Sequence, residues 1–223
     1  RLQSFDRYAV YFTPQGTLAA AGAAWLGWDV ASGSAVAHPD VGLNLGKITE
    51  TPRKYGFHGT IKPPLVLADG TDAAQLGAAF GALCAQLAPI TLDGLEVSNL
   101  GPFLALKPLG NQAAMAVTAG TVVKQLDPFR APPSQAELER RRKAHLTPSQ
   151  EQNLMDWGYP YLMDDFRFHL TLTGRVKRSD DDAVSEVARD YFAPHLPAPL
   201  VVDTLTLVGQ DADGMFREIR RCD

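Results

Sequence analysis

A short phrase is written twice in this chain. Phe57-His58-Gly59-Thr60 stands in the first half and Phe168-His169-Leu170-Thr171 in the second, separated by about half the sequence. The stretch after each copy is repeated as well. Residues 72–88 place Leu76, Phe80, Leu83 and Leu87 on one helical face, with Thr71 or Asp72 as the cap and Pro89 as the stop. Residues 90–97 then alternate like a strand, and a turn at 99–102 leads to a second strand at 103–107. After His169 the order recurs. A helix at 179–195 carries Val184, Val187, Ala188, Tyr191 and Phe192, an alternating run spans 200–208, and a turn at 211–214 leads to a strand at 215–219. Asp93 and Asp203, Leu95 and Leu205, and Val97 and Leu207 occupy matching places.

Two strand–helix–hairpin units are too few for a solenoid. They predict an α+β fold: a bilobal internal duplication with two antiparallel sheets and flanking helices around a central cleft. Residues 1–223 then form a single bilobal domain, with lobes near 1–125 and 166–223, the chain crossing between them, and an insertion at 126–165. A chain of 223 residues with 45% hydrophobic content can bury a core of that size. The apolar run at 18–28 is too short to cross a bilayer and, behind a strand at 8–12, reads as an amphipathic first helix rather than a cleaved leader. The insertion reads as a loop at 127–134, a charged helix at 135–144, a second helix at 148–157 and an aromatic turn through Tyr159 and Tyr161. Two cysteines make no disulfide framework: Cys84 reads as a small core residue and Cys222 as a frayed one near the end. That usage points to a reducing, cytoplasmic location.

The phrase has a chemical reading. On a strand, successive side chains alternate, so Phe57, Gly59 and Ile61 face one way and His58, Thr60 and Lys62 the other. In the second copy Phe168, Leu170 and Leu172 face the core, and Arg167, His169, Thr171 and Thr173 share the opposite face. A twofold relation between the copies would bring two imidazoles and two hydroxyls into one cleft. A neutral His takes a proton from water, and a protonated one gives a proton to a leaving oxygen. The Thr hydroxyls donate to phosphate oxygens. Acid and base on opposite walls suit an in-line displacement at phosphorus. The phrases lack the carboxylates and cysteines that complete typical metal sites. No G-x-S-x-G, P-loop or dinucleotide fingerprint occurs.

Paired His-x-Thr phrases in a duplicated α+β chain resemble the 2H phosphoesterase superfamily. The stretches 53–64 and 166–174, with the Glu137-Leu138-Glu139-Arg140-Arg141-Arg142 run, resemble a branch of it described as phosphonate metabolism proteins. The resemblance covers the whole chain. It implies a cyclic phosphodiesterase that needs neither metal nor cofactor, with His58 and His169 as acid and base and Thr60 and Thr171 as phosphate clamps. A phosphorylated ribose cyclic phosphate is the implied substrate. The alternatives are an RNA-end 2′,3′-cyclic phosphodiesterase or 2′,5′-esterase, and a non-catalytic module that binds a phosphate ligand.

Further candidates for substrate contact are Lys62, Arg167 and Thr173 on the strand faces, and Arg53 and Tyr55 just upstream. The Arg140–Lys143 run is either a solvated helix face or a basic lid in which Arg141 meets a second phosphate. Tyr159 and Tyr161 pack or stack on a base. His38, His145 and His195 have no matching phrase and read as structural. The formal net charge of −4 excludes a whole-molecule basic field for long nucleic acid and leaves room for a small phosphorylated substrate. No membrane partner is expected.

Overall fold

The structure, a computed structural model, describes residues 4–222. Strand β1 (Arg7–Phe12) leads into helix α1 (Gly16–Leu26), a short ribbon of β2 (Trp28–Asp29) and β3 (Ser34–Ala35), and two one-turn helices, α2 (Leu45–Ile48) and α3 (Glu50–Arg53). Strand β4 (Gly59–Leu65) carries the end of the first phrase. Then come α4 (Ala73–Cys84), β5 (Ile90–Leu92), β6 (Gly94–Leu100), β7 (Phe103–Leu109) and α5 (Ala113–Leu126). The insertion holds α6 (Gln135–Arg142) and α7 (Pro148–Trp157). The second phrase forms β8 (Leu170–Thr171), and α8 (Asp181–Phe192), β9 (Leu200–Val202), β10 (Thr206–Gln210) and β11 (Phe216–Arg221) complete the chain.

The capping chemistry settles one open choice. Asp72, not Thr71, caps α4: its side chain accepts from the Gln75 amide while Gln75 accepts from the Asp72 amide. Helix α4 ends at Cys84, short of the expected 88. Helix α5 is not anticipated from the sequence. Its buried residues, Met115, Ala119, Val122, Val123 and Leu126, recur at helical spacing.

The expected pair of sheets is joined into one. Seven strands run in the order β11-β10-β1-β4-β8-β7-β6. The join is the β4–β8 pair, with Gly59 opposite Leu170. The one position where the repeated phrases differ is therefore where they meet. A Cβ at Gly59 would lie 2.5 Å from Phe168 Cε2, so only glycine lets the strands close with that ring in place.

The halves of the sheet do not follow the 1–125 and 166–223 division. The β10–β11 hairpin of the second repeat pairs with β1, beside β4. The β6–β7 hairpin of the first repeat pairs with β8. The hairpin that follows each phrase therefore lies on the other phrase's side of the sheet. The two runs expected as continuous strands, 90–97 and 200–208, each break to allow this. Their first parts, β5 and β9, pair with one another, with Ile90 opposite Val202 and Leu92 opposite Leu200.

Alternation along β1 divides the interior. Tyr8, Val10 and Phe12 join the main core with Trp25, Phe80, Met115, Leu170 and Phe192, which the helices cover. Ala9 and Tyr11 face the other way and pack with Trp28, Val30, Val208 and Phe216. Cys84 and Cys222 are joined as a disulfide with their Cα atoms 6.0 Å apart. This corrects the expectation of a core thiol and a frayed end. Hairpin exchange lays β11 against α4, where Arg220 donates to the Gly77 carbonyl, and that brings the two sulfurs together. Among the described residues no helix is long and apolar enough to cross a membrane.

Candidate active site

Phe57 and Phe168, each nearly fully buried, anchor the two phrases in the core. The residues after them turn to the other side. His58, Thr60, His169 and Thr171 line one cavity of about 590 Å³. The sequence placed the four on the faces of two separate strands; the β4–β8 pairing puts them side by side.

The two imidazoles are held alike. His58 Nδ1 lies 2.8 Å from the Gly56 carbonyl oxygen, and His169 Nδ1 lies 2.7 Å from that of Arg167. A carbonyl only accepts, so Nδ1 carries the hydrogen in both rings and Nε2 is left to exchange a proton. Gly56 stands at φ +80°, a conformation that favours glycine, and its turn aims that carbonyl back at the ring. His58 Nε2 lies 2.8 Å from Thr60 Oγ1.

The surroundings differ. Tyr11, from β1, stacks on His58 with ring centroids 3.6 Å apart and planes 19° apart. Phe103 approaches His169 only at 6.1 Å and 46°. Burial lowers His58 from 6.5 to about 4; the Gly56 carbonyl opposes this and the neighbouring His169 adds to it. Burial also lowers His169, opposed by the Arg167 carbonyl and aided by Lys107. Both rings are therefore disposed to be neutral in the free protein, His58 the more strongly fixed so.

Among the other expected contacts, Tyr55, Arg167 and Arg141 line the cavity. Three do not. Lys62 is buried beneath α5, donating to the Val123 carbonyl with Asp127 at 3.9 Å, and burial lowers its pKa to about 8. The reason is an irregularity in the β1–β4 register between Val10 and Tyr11, opposite the step from Thr60 to Lys62; a second follows between Tyr8 and Val10. Each slip puts an extra residue into β4, so simple alternation fails after Thr60. Thr173 is buried and its hydroxyl accepts from the Leu104 amide. Arg53 spends its guanidinium on the Leu26 and Gly46 carbonyls and on Thr49, holding α1 to the α2–α3 turn.

The basic run resolves residue by residue. Arg140 is exposed beside Glu137, and Arg142 pairs with Glu151 on the surface. Only Arg141 turns to the cavity, with its guanidinium 4.7 Å from the Tyr159 ring centre. Arg130 is occupied by Asp127. Tyr159 and Tyr161 both line the cavity. Arg7, Tyr11 and Phe103 also line it and were missed in the sequence. They sit on strands that read as plain core or edge, and which side of β1 faces the phrases is set by its pairing with β4. A second pocket, of about 40 Å³ beside Cys84 and Cys222, is too small for a phosphorylated sugar. Among the described residues no group of three or more His, Cys, Asp or Glu is placed to hold a metal ion.

The model of the family described as "Protein of unknown function (DUF1045)" matches residues 60–217. The chain belongs to that family. For this DUF1045 member, two curated relatives carry the name ribose 1,5-bisphosphate phosphokinase PhnN. One, from Janthinobacterium sp. (strain Marseille), is 36% identical over 222 residues, covering 95% of this chain and 49% of the relative. Another, from Laribacter hongkongensis (strain HLHK9), is 31% identical over 219 residues, covering 96% and 51%. The DUF1045 chain thus spans about half the length of the curated relatives it matches. Among solved structures, it is similar to a crystal structure of a phosphoesterase, with TM-score 0.45 and 13% identity over 98% of this chain and 97% of that one. It is similar in the same degree to E. coli LigT complexed with 3′-AMP, with TM-score 0.45, 11% identity and the same coverage.

Proposed function

We propose that the chain hydrolyses a cyclic phosphodiester on a ribose, with His58 and His169 as a proton-exchanging pair. The observation that carries this reading is the convergence of two His-x-Thr phrases, from opposite halves of the sequence, on one cavity with both Nδ1 atoms held by backbone carbonyls. A site that only held a phosphate would have little use for two imidazoles kept neutral by burial beside two hydroxyls.

The unequal burial of the two rings supports a division of roles. His58, the more strongly held neutral, takes a proton from water as the water oxygen bonds to phosphorus. His169 begins protonated, its pKa raised by the bound anion, and gives that proton to the departing ribose oxygen as the P–O bond breaks. Thr60 turns its hydroxyl from His58 to a non-bridging oxygen, and Thr171 donates to the other. The product is a monoester beside a free hydroxyl. Removing the charge on both sides of phosphorus this way needs no cation.

The lining supports a nucleotide or RNA 3′ end bearing a 2′,3′-cyclic phosphate. Tyr55, Phe103, Tyr159 and Tyr161 offer faces on which a base can stack, in a cavity of about 590 Å³. A second reading is a phosphorylated ribose cyclic phosphate without a base. The name of the relatives, a kinase acting on ribose 1,5-bisphosphate, favours it. The kinase activity itself is not carried over, since this chain has no P-loop and spans half of those proteins.

Phosphorus NMR of EDTA-treated protein with nucleoside 2′,3′-cyclic phosphates and 5-phosphoribosyl 1,2-cyclic phosphate tests the proposal. A new monoester resonance that disappears in both His58→Ala and His169→Ala is expected. Turnover that persists in either variant would overturn the paired-histidine reading, and turnover only after metal is added back would overturn its metal-free form.

A further inference from the structure

Two buried side-chain polar atoms among the described residues lack a hydrogen-bond partner: Tyr11 Oη and Arg141 Nε. Both residues line the same cavity. An unsatisfied donor inside a protein is costly, so two of them on residues that line one space call for a ligand that completes them. They come from unrelated parts of the chain, Tyr11 from the middle of the sheet and Arg141 from the inserted helix α6. No local folding requirement explains both.

We infer that Tyr11, Arg141 and Arg7 form a second anion subsite, which takes a phosphate monoester on the substrate other than the phosphate being opened. This rests on the proposed reaction and narrows its substrate to one phosphorylated at a second position, the ribose 5′ oxygen being the plain choice. Arg7 lines the cavity, held through its Nε by Gln210 Oε1 at 2.6 Å, which leaves its terminal amines to point at a ligand. The Arg141 guanidinium lies 4.7 Å from the Tyr159 ring centre and Glu137 meets its Nη2 at 3.5 Å, which leaves the buried Nε without a partner. Tyr55 bridges the group: it stacks on Phe216, whose ring also lies 5.7 Å beneath the Arg7 guanidinium. The carboxylate on the cavity wall, Asp165, is already engaged by Ser149 and Asn153 and does not compete for the arginines.

The electrostatics agree in direction. The Tyr11 hydroxyl is pushed well above its usual range, by burial first and by Tyr55 next, against the pull of Arg7. Tyr159 is likewise raised by burial, against Arg141. Both phenols therefore stay protonated at any working pH and can only approach an anion as donors. Tyr11 also stacks on His58, which ties the subsite to the reacting phosphate through one rigid ring.

The test uses a matched pair, uridine 2′,3′-cyclic phosphate with and without a 5′-phosphate. In the wild type the 5′-phosphate is expected to raise kcat/KM about tenfold or more, the worth of a charge-assisted contact. Arg141→Gln and, separately, Tyr11→Phe should bring the ratio between the two substrates toward one. Arg141 sits on a half-exposed helix and Tyr11→Phe keeps the stacked ring, so both variants should melt as the wild type does. A wild-type ratio of one, or a ratio that neither variant alters, would overturn the subsite. Calorimetry with ribose 5-phosphate against ribose reads the subsite without turnover. Ribose 5-phosphate binding that weakens in Arg141→Gln upholds the subsite even where no cyclic phosphate is opened, whereas equal binding of the two sugars overturns it.

Discussion

The two copies of the phrase share a backbone device and differ in their cover. In each, the carbonyl two residues before the histidine fixes Nδ1, so the ring presents Nε2 to the cleft. Over His58 lies a stacked tyrosine, and beside Nε2 a bonded threonine. Over His169 lies only a distant, tilted phenylalanine. The unequal cover makes the His58 ring the more reluctant of the two to hold a proton. On the proposed reaction, that difference is what would divide the pair into base and acid.

The comparison breaks first at the histidines themselves. Replacing His58 or His169 by Ala should each cost about 10³-fold in kcat, because either proton transfer alone stalls the reaction. Steady-state rates on the preferred cyclic phosphate measure it, and a variant that keeps a tenth of the rate would mean its ring is a spectator. Next come the clamps. Thr60→Val and Thr171→Val should each lower kcat/KM by about tenfold to a hundredfold. Only Thr60→Val should also move a pH limb, since only Thr60 bonds its histidine.

The pH profile sharpens the asymmetry. In the free protein the base must be neutral and the acid protonated. The rise of kcat/KM therefore tracks His58, about 4, and its fall tracks His169, below 6.5. The profile is a bell on the acid side of neutrality. A rate that climbs steadily from about pH 5 to 9 contradicts it. Tyr11→Leu removes the stacked cover and should carry the rising limb upward from about 4 toward 6.5, leaving the falling limb in place.

Stability gives a smaller effect of known sign. A histidine whose folded pKa is lowered binds protons more readily when unfolded, so stability is full above the unfolded value, 6.5, and falls as pH drops toward about 4. Melting temperatures of the wild type should decline across that window, and His58→Gln should flatten the decline. The smallest effect on activity is expected at the polar residues buried away from the cleft. Thr173→Val leaves the Leu104 amide without its acceptor and should lower the melting temperature, with kcat/KM within about twofold of the wild type.

Most helices and strands, and the side of the strand on which the His and Thr of each phrase lie, were legible because each depends on local sequence: helical spacing, strand alternation, a cap, a phrase. The features that stayed hidden depend on which strands pair. Tyr11 reads as one more core residue until β1 is set against β4. Lys62 reads as a cleft residue until the register slip between it and Thr60 turns it inward. Cys84 and Cys222 read as unrelated until the hairpins change places. Arg53 and Thr173 look free on a strand or loop because nothing in the sequence announces the carbonyls and amide that consume them.

Hairpin exchange has a consequence for the chain as a physical object. Cut within the insertion, it yields one fragment holding β1, β4, β6 and β7, and another holding β8, β10 and β11. Neither fragment owns a complete half of the sheet, and each carries a single phrase histidine. The pieces are obliged to find one another, as two proteins that trade a segment do. On the proposed reaction, recovery of turnover on mixing would then report reassembly directly, with no colour or tag added. In its strand order the chain is laid out like a swapped dimer whose two partners have been written end to end.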